Sequence, residues 1–395
     1  MKKIFESIIT GVITCSGFIT SIVILLIVVF LFSEGFGLFS QKTIEDGYCL
    51  VVNKQNPVSE LNAKQIKEVF DEDVTDWKDV GGKDMPIKVF RFEDMDRYFT
   101  EKELGSQYEH AGECINRLVE ANPGIIGFVP EDFVGKDFRG KRLADHHISV
   151  SEVVGGTEWF PTATPAPQFG FVPLILGTVW VTVFAIIFAL PFGLSVAIYM
   201  AEVASVRMRK ILKPVIELLN GIPSVVYGFF GLTIVVPMLQ DVFGLPVGES
   251  GLAGAIVLAI MALPTIITVG EDAMLNCPRS QREASLALGA SKWQTIYKVV
   301  MPYSVSGITS GVVLGIGRAF GETMAVLMVT GNAAVIPLSI TDPLRTIPAT
   351  IAAELGEAPA GGPHYQSLFL LGVVLFFITL IINTSVEMIS AKGKK

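Results

Sequence analysis

The sequence predicts an all-α membrane protein of six transmembrane helices, with a soluble α/β segment inserted between the first and the second. Three observations predict it. Hydrophobic residues make up 51% of the 395 and the mean hydropathy is +0.55, a membrane-protein balance. Six apolar runs are each long enough to cross a hydrocarbon core of about 30 Å. Lysine and arginine crowd the alternate loops between those runs and are scarce in the others.

The first run is Ile8–Phe32, behind Met1, Lys2 and Lys3. It is too long for the core of a secretory signal, and no small-residue cleavage site follows, so it reads as a retained anchor. The others are Val172–Ala201, opened by the linker PTATPAPQFGF, then Pro214–Leu239, Leu252–Leu275, Tyr303–Gly331 and Ser367–Ile389. Arg207, Arg209, Lys210 and Lys213 join spans two and three, and Arg279, Arg282, Lys292 and Lys298 join spans four and five. Lys392, Lys394 and Lys395 end the chain, whereas residues 240–251 carry no Lys or Arg and residues 331–366 only Arg345. By the positive-inside rule both termini are expected in the cytoplasm, and the protein in the plasma (inner) membrane. The expected division is an N-terminal transmembrane helix over 1–40, an extracytoplasmic α/β insert over 41–160 and a transmembrane domain over 161–395.

Residues 41–160 hold 15 of the 30 basic and 24 of the 38 acidic residues. This acidity, and the lack of any basic stripe, argue against a nucleic-acid partner. Within the segment CLVVN, PIKVF and NPGIIGFVP read as strands. SELNAKQIKEVF opens like a capped helix, with Ser59 or Asn62 as the cap. Strands alternating with helices predict a small α/β unit. Cys49 and Cys114 share this segment. In an oxidising compartment the two can bridge; the alternative is two buried free thiols. No cysteine or histidine spacing marks a metal site, and no nucleophile–base constellation marks a catalytic one.

The most specific stretch is EASLALGASKWQTIYKVVMP, Glu283–Pro302, in the basic loop over 277–302. Glu283, Ala284 and Ser285 open a short helix expected over Glu283–Leu288. Gly289 ends it at little steric cost, and a second helix is expected to run to Pro302. This pattern resembles the EAA loop of permeases from ABC importers. The resemblance implies the type I importer (MetI-like) fold and a loop that docks on a dimer of cytoplasmic ATPase subunits. It implies that the chain itself hydrolyses nothing, with Mg-ATP held by those partners and no cofactor of its own. No G-x-x-x-x-G-K-[ST] loop occurs in the sequence.

GIPSVVYGFFGL, GRAFGETMAV, PLRTIPATIAAELGEA and HYQSLFLLGVVLFFITLIIN resemble the permease of phosphate-specific ABC importers, of the PstC type rather than its paralogue PstA. This likeness covers Phe171 onwards and the first span. It implies inorganic phosphate as cargo, a PstA-type permease as partner and an extracytoplasmic phosphate-binding receptor. NPVSELNAKQIKEVF, WKDVGGKDMPIKVF and NPGIIGFVP of the insert are similar to part of such a receptor. That family's ligand loop carries Arg followed by Ser-Gly-Thr. Here Arg91 is followed by FEDMDRYFT, and Glu93, Asp94 and Asp96 repel a dianion. The insert therefore reads as a receptor-like domain without its ligand site, and docking of a receptor or accessory protein is the favoured role. Retained weak anion binding, a sensing role or no role for the insert, and another oxyanion as cargo, are the competing readings.

An ionised side chain at the bilayer centre costs about 2.5–3.5 kcal/mol on insertion scales. Arg318 and Glu322 stand near the middle of the fifth predicted span, one turn apart and on one face. Either they pair with each other, or Arg318 lines the cargo's route. Its fork of donors suits phosphate oxygens, and Glu322 then steadies it and moderates its grip. Thr323 adds a hydroxyl or caps its own helix. Gly315, Gly317 and Gly321 are expected at close helix approaches, Pro191, Pro223 and Pro264 at kinks, and Arg345 in solvent.

Overall fold

The structure, a computed structural model, describes residues 2–392 apart from 106 and 136. Lys394 and Lys395 of the predicted basic tail lie outside the described residues. The chain forms two compact units. One comprises Phe36–Gly170 with Gly361–Ser367, and the rest of the described residues build the other.

Among the described residues six helices are long and apolar enough to cross a bilayer, and most of their length builds the second, membrane unit. They are Ile9–Ser40, Val172–Val203, Ser224–Phe243, Gly251–Leu275, Lys292–Phe320 and Pro363–Ser385, the first to sixth spans below. The fourth is the most enclosed, as expected of the central helix of a bundle. Its Val257, Leu258 and Met261 share a core with Val181 and Ala185 of the second span, Tyr227 and Val235 of the third, and Val326 and Val329. A stripe of small residues brings the fifth span onto the fourth. A Cβ on Gly307 would stand 2.4 Å from that of Ala273, one on Gly311 3.0 Å from that of Val269, and one on Gly315 3.1 Å from Ile266. Gly317 and Gly321 meet no neighbouring helix. The first span leans on the sixth at one end only, through Phe30 and Phe369 and through Gly35 against the Leu370 backbone.

Two predicted spans differ in a way that matters for the site. The third was expected to begin at Pro214. Pro214 lies instead inside an amphipathic helix, Val206–Asn220, and the chain turns at Gly221, Ile222 and Pro223 before Ser224. A residue preceding proline avoids the α conformation, so Ile222 leaves the helix. The fifth was expected to run unbroken over Tyr303–Gly331. It ends at Phe320, and a separate helix, Met324–Val329, follows a break at Gly321, Glu322 and Thr323.

Prolines within the spans are handled in two ways. Pro191 and Pro264 sit inside helices that continue through them. Pro237 and Pro302 each follow a π-helical turn, Gly231–Val235 and Ile296–Val300. The wider turn spares the carbonyl that a proline ring would otherwise strike. The helix therefore passes through Pro302 rather than ending there.

The other unit is an α/β domain. Its main sheet is made of β1 (Tyr48–Val52), β2 (Lys88–Arg91), β3 (Ile125–Pro130) and β4 (Lys141–Arg142), in the order β2-β3-β1-β4, and a separate antiparallel pair joins Trp159–Phe160 to Gln168–Phe169. β1 is antiparallel to β3 and β4, and β2 is parallel to β3. Alternation splits the sheet between two cores. Leu50, Val52 and Ile126 face the helix Ala63–Phe70 and Trp77. Cys49, Val51, Ile125 and Val129 face the helix Ala111–Ala121. Of the two expected caps Asn62 is the one used. Its carboxamide accepts from the Gln65 N–H and Gln65 reaches back, a reciprocal cap worth about 1 kcal/mol. Cys49 and Cys114 are both free and buried in one cluster.

Candidate functional site

The two breaks meet. The helix after the first, Ser224–Phe230, lies against the helix after the second, Met324–Val329. A Cβ on Gly228 would stand 3.0 Å from the Ala325 Cα and 2.8 Å from the Met328 sulfur. Only a residue without a side chain lets these backbones approach so closely. The Tyr227 hydroxyl donates to the Leu219 carbonyl at 2.8 Å and ties the helix back across its break.

Arg318 and Glu322 do not form the expected pair, because the helix that would align them stops between them. Arg318 occupies the last turn before the break, where a helix C-terminus favours a cation. Its Nη1 donates to Asn220 Oδ1, 2.6 Å away, at the last residue before the other break. Among the described residues no carboxylate lies within ion-pair distance of it. Glu322 turns to its own segment: Oε1 accepts from the Ala325 N–H at 3.3 Å, satisfying an amide that a helix start leaves free. The Thr323 hydroxyl donates to the Gly321 carbonyl at 3.3 Å, so it too serves the local turn. Asn220 escaped the sequence reading. Its one available signal was a polar residue immediately before Gly-Ile-Pro.

The predicted coupling loop folds as a short helix and, after a turn, a second helix that runs on as the fifth span. The first spans Arg279–Ala287 and carries Glu283 and Ala284 exposed to solvent. Gly289 reverses the chain at a φ of +83°, where other residues are strained. Ser291 caps the second helix, accepting from the Gln294 N–H while Gln294 reaches back. The Ser285 and Thr295 hydroxyls stand 3.0 Å apart and brace one helix against the other. Leu288, Trp293 and Tyr297 are 90%, 64% and 57% exposed. So much uncovered apolar surface on one hairpin marks a contact region.

Behind this loop lies a charge cluster that hydropathy alone did not disclose. Glu202, at the end of the second span, is 2.9 Å from Arg282 of the loop. Arg282 also donates to the Met274 carbonyl at the end of the fourth span, at 2.6 Å. Glu271 is buried within 3.5 Å of both Arg209 and Lys213, and Asp272 lies 3.3 Å from Lys213. Arg209 donates in turn to the Met200 and Ala201 carbonyls. One arginine from each basic loop thus caps a span end, and each has an acid beside it. The acidic pair in VGEDAML was the legible hint.

Two further arginines depart from expectation or bear on it. Arg345 is not a solvated charge: it forms an ion pair with Glu354, both largely buried, beside the helix Ile347–Glu354. The insert's Arg91 donates to the Phe70 carbonyl at 3.0 Å and stacks over the Phe70 ring. Asp71, Glu72, Glu93 and Asp94 line the same cleft, a poor environment for an anion. No cluster of metal-ligating side chains occurs among the described residues.

Residues 189–393 match the family profile described as binding-protein-dependent transport system inner membrane component. Residues 32–154 match that of a PBP superfamily domain. The chain is 42% identical over 247 residues to the probable ABC transporter permease protein YqgH of Bacillus subtilis, covering 62% of this chain and 80% of that protein. It is 36% identical over 245 residues to the phosphate transport system permease protein PstC of Xylella fastidiosa, covering 57% of this chain and 74% of that one. A solved inward-facing MetNI methionine ABC transporter chain aligns over 56% of this chain and 94% of its own, at 17% identity and a TM-score of 0.45. With the family profile spanning just over half its residues, six apolar helices and a relative of 42% identity, this chain belongs to the binding-protein-dependent transport system inner membrane components, the permease subunits of ABC transporters.

Proposed function

We propose that this protein is the permease subunit of an ATP-driven phosphate importer and builds one side of the phosphate path. The observation that carries the reading is Arg318: a permanent cation where two broken helices meet, held by a neutral amide and free of any carboxylate partner among the described residues. A guanidinium without a counter-ion offers planar donors to phosphate oxygens. Release stays possible because an isolated cation holds a passing dianion less firmly than a closed cage of donors. The relatives that carry the phosphate name supply the cargo.

In this reading the termini and the 277–302 loop face the cytoplasm and residues 41–160 the other side of the inner membrane. Glu283, Ala284, Ser285 and Gly289 present the loop to a dimer of ATPase subunits, which hold Mg-ATP; the permease needs no cofactor. Pro302, inside the fifth span, lies on the route of the stroke from the loop to Arg318. A PstA-type permease completes the path and an extracytoplasmic receptor loads it. The insert docks a protein rather than phosphate, supported by the engagement of Arg91 with Phe70.

The test is uptake of radiolabelled phosphate by vesicles holding the reconstituted complex, with the insert present or deleted. Phosphate accumulation that needs ATP and the receptor supports the function. Import of sulfate or molybdate instead would replace the cargo. Uptake that survives deletion of 41–160 while receptor affinity is unchanged would remove the docking role.

A further inference from the structure

Arg318 is held by a residue 98 positions away, Asn220, through a side-chain hydrogen bond. Asn220 and Arg318 each occupy the last helical residues before a break. Neither element continues past the contact: Gly221–Pro223 follows one, Gly321–Thr323 the other. Among the described residues, the hydrogen bond of 2.6 Å to Asn220 is the one the Arg318 side chain makes across the gap.

Resting on the phosphate reading above, we propose that Asn220 is the positioning residue for Arg318 and keeps its charge uncompensated. Its carboxamide oxygen takes one guanidinium N–H and orients the fork. Its amide nitrogen remains a donor beside the remaining guanidinium N–H groups. The pair then presents donors and one uncompensated positive charge, which suit the unprotonated oxygens of a phosphate mono- or dianion. Aspartate is the same size and would accept the same bond, but as an anion it would cancel the charge and repel the cargo. Alanine would release the guanidinium and leave its charge intact. Asn220 is exposed, so neither replacement disturbs a packed core.

The two substitutions therefore separate electrostatics from structure. If Asn220 only filled space or braced the break, Asn220→Asp, the isosteric change, would be the milder. If it sets the charge at Arg318, Asn220→Asp is the more damaging. The experiment is phosphate uptake per ATP hydrolysed, at saturating loaded receptor, in vesicles holding the whole complex. Asn220→Ala is expected to lower it roughly tenfold by loss of a charge-assisted bond. Asn220→Asp is expected to lower it roughly a hundredfold by adding a like charge to the anion's site. Assembly of each variant is checked by size-exclusion of the solubilised complex. Equal uptake by wild type and Asn220→Asp, or a smaller loss in Asn220→Asp than in Asn220→Ala, overturns the inference. Wild-type vesicles that import sulfate or molybdate and no phosphate would sink the cargo assignment alone, and the order of the variants would then be read with that anion.

Discussion

The Glu202 carboxylate stands 2.9 Å from the Arg282 guanidinium, joining the end of the second span to the first helix of the 277–302 loop. Both side chains are largely shielded, at 10% and 22% exposure, so the pair is screened little by salt. With Arg282 also bound to the Met274 carbonyl, one loop side chain ties the ends of two spans together.

Neutralising one member should loosen this link. Glu202→Gln is expected to lower phosphate moved per ATP severalfold, since it leaves Arg282 short of its counter-ion. The exchange Glu202→Arg with Arg282→Glu should restore part of the loss, and only part, because glutamate cannot donate to Met274. Uptake and ATP hydrolysis measured in the same vesicles decide it. No recovery in the double variant would mean that the ion pair itself is not the link.

Arg318→Gln keeps donors of similar reach but removes the permanent charge. Uptake should fall by at least about a hundredfold, in keeping with the loss of a charge-assisted contact of about 1.5–3 kcal/mol and of the local field. Assembly with the partner subunits should persist, as read by co-purification. Normal uptake would exclude Arg318 from the path.

The loop offers a cleaner stability experiment. Gly289 has a φ of +83° and an added Cβ would meet nothing within 4 Å. Gly289→Ala should therefore cost only backbone strain, about 1 kcal/mol, and weaken ATPase association about fivefold. Leu288→Asp, which charges the most exposed apolar side chain of the hairpin, should abolish association outright. Pull-down of the ATPase subunits measures both. Equal effects would show that the turn, not the apolar surface, makes the contact.

What could be read in advance, and what could not, follows from the range of each interaction. The strands at Tyr48–Val52 and Ile125–Pro130, the Asn62 cap and the loop turn at Gly289 depend on neighbours in the chain, and local pattern revealed them. The break at Gly321–Thr323 was hidden because apolar residues continue beyond it and no proline marks it. The expected Arg318–Glu322 pair failed with it. The partner found instead, Asn220, is close only through the packing of Gly228 on Ala325. The partners of Glu271 are likewise set by how the Val206–Asn220 helix folds back on the fourth span, which hydropathy does not encode.

In the insert, burial pushes the Cys49 thiol up to about 11 from its ordinary value of 9.0. The folded domain thus keeps it protonated where an unfolded chain would ionise. The associated stability is complete below about pH 9 and is lost as pH rises towards 11. Maleimide at pH 8 should leave Cys49 unmodified in the native full-length protein and label it readily in urea, as followed by peptide mass spectrometry. Fast labelling of the native protein would show that the strand opens.

Titrating the solubilised chain with phosphate, in the absence of receptor, should give no micromolar heat from the insert. Arg91 is already committed to Phe70, and four carboxylates share its cleft. Binding that disappears in Arg91→Ala would restore a ligand role to the domain.

The π-helical turn at Ile296–Val300 has one more consequence. A π turn accommodates one residue more than an α turn, so the helix beyond it keeps the angular register it would have if one residue were missing. Deleting Tyr297 alone should drive the Pro302 ring into the preceding turn. Deleting it together with Pro302→Ala should heal the segment into plain α-helix and leave Arg318 facing Asn220. A single deletion anywhere between Tyr303 and Gly317 would swing Arg318 by roughly 100° about the axis. Among the described residues, the π turn is thus a place in the fifth span where chain length can change without turning the arginine away, and it lies within the loop, well before the break.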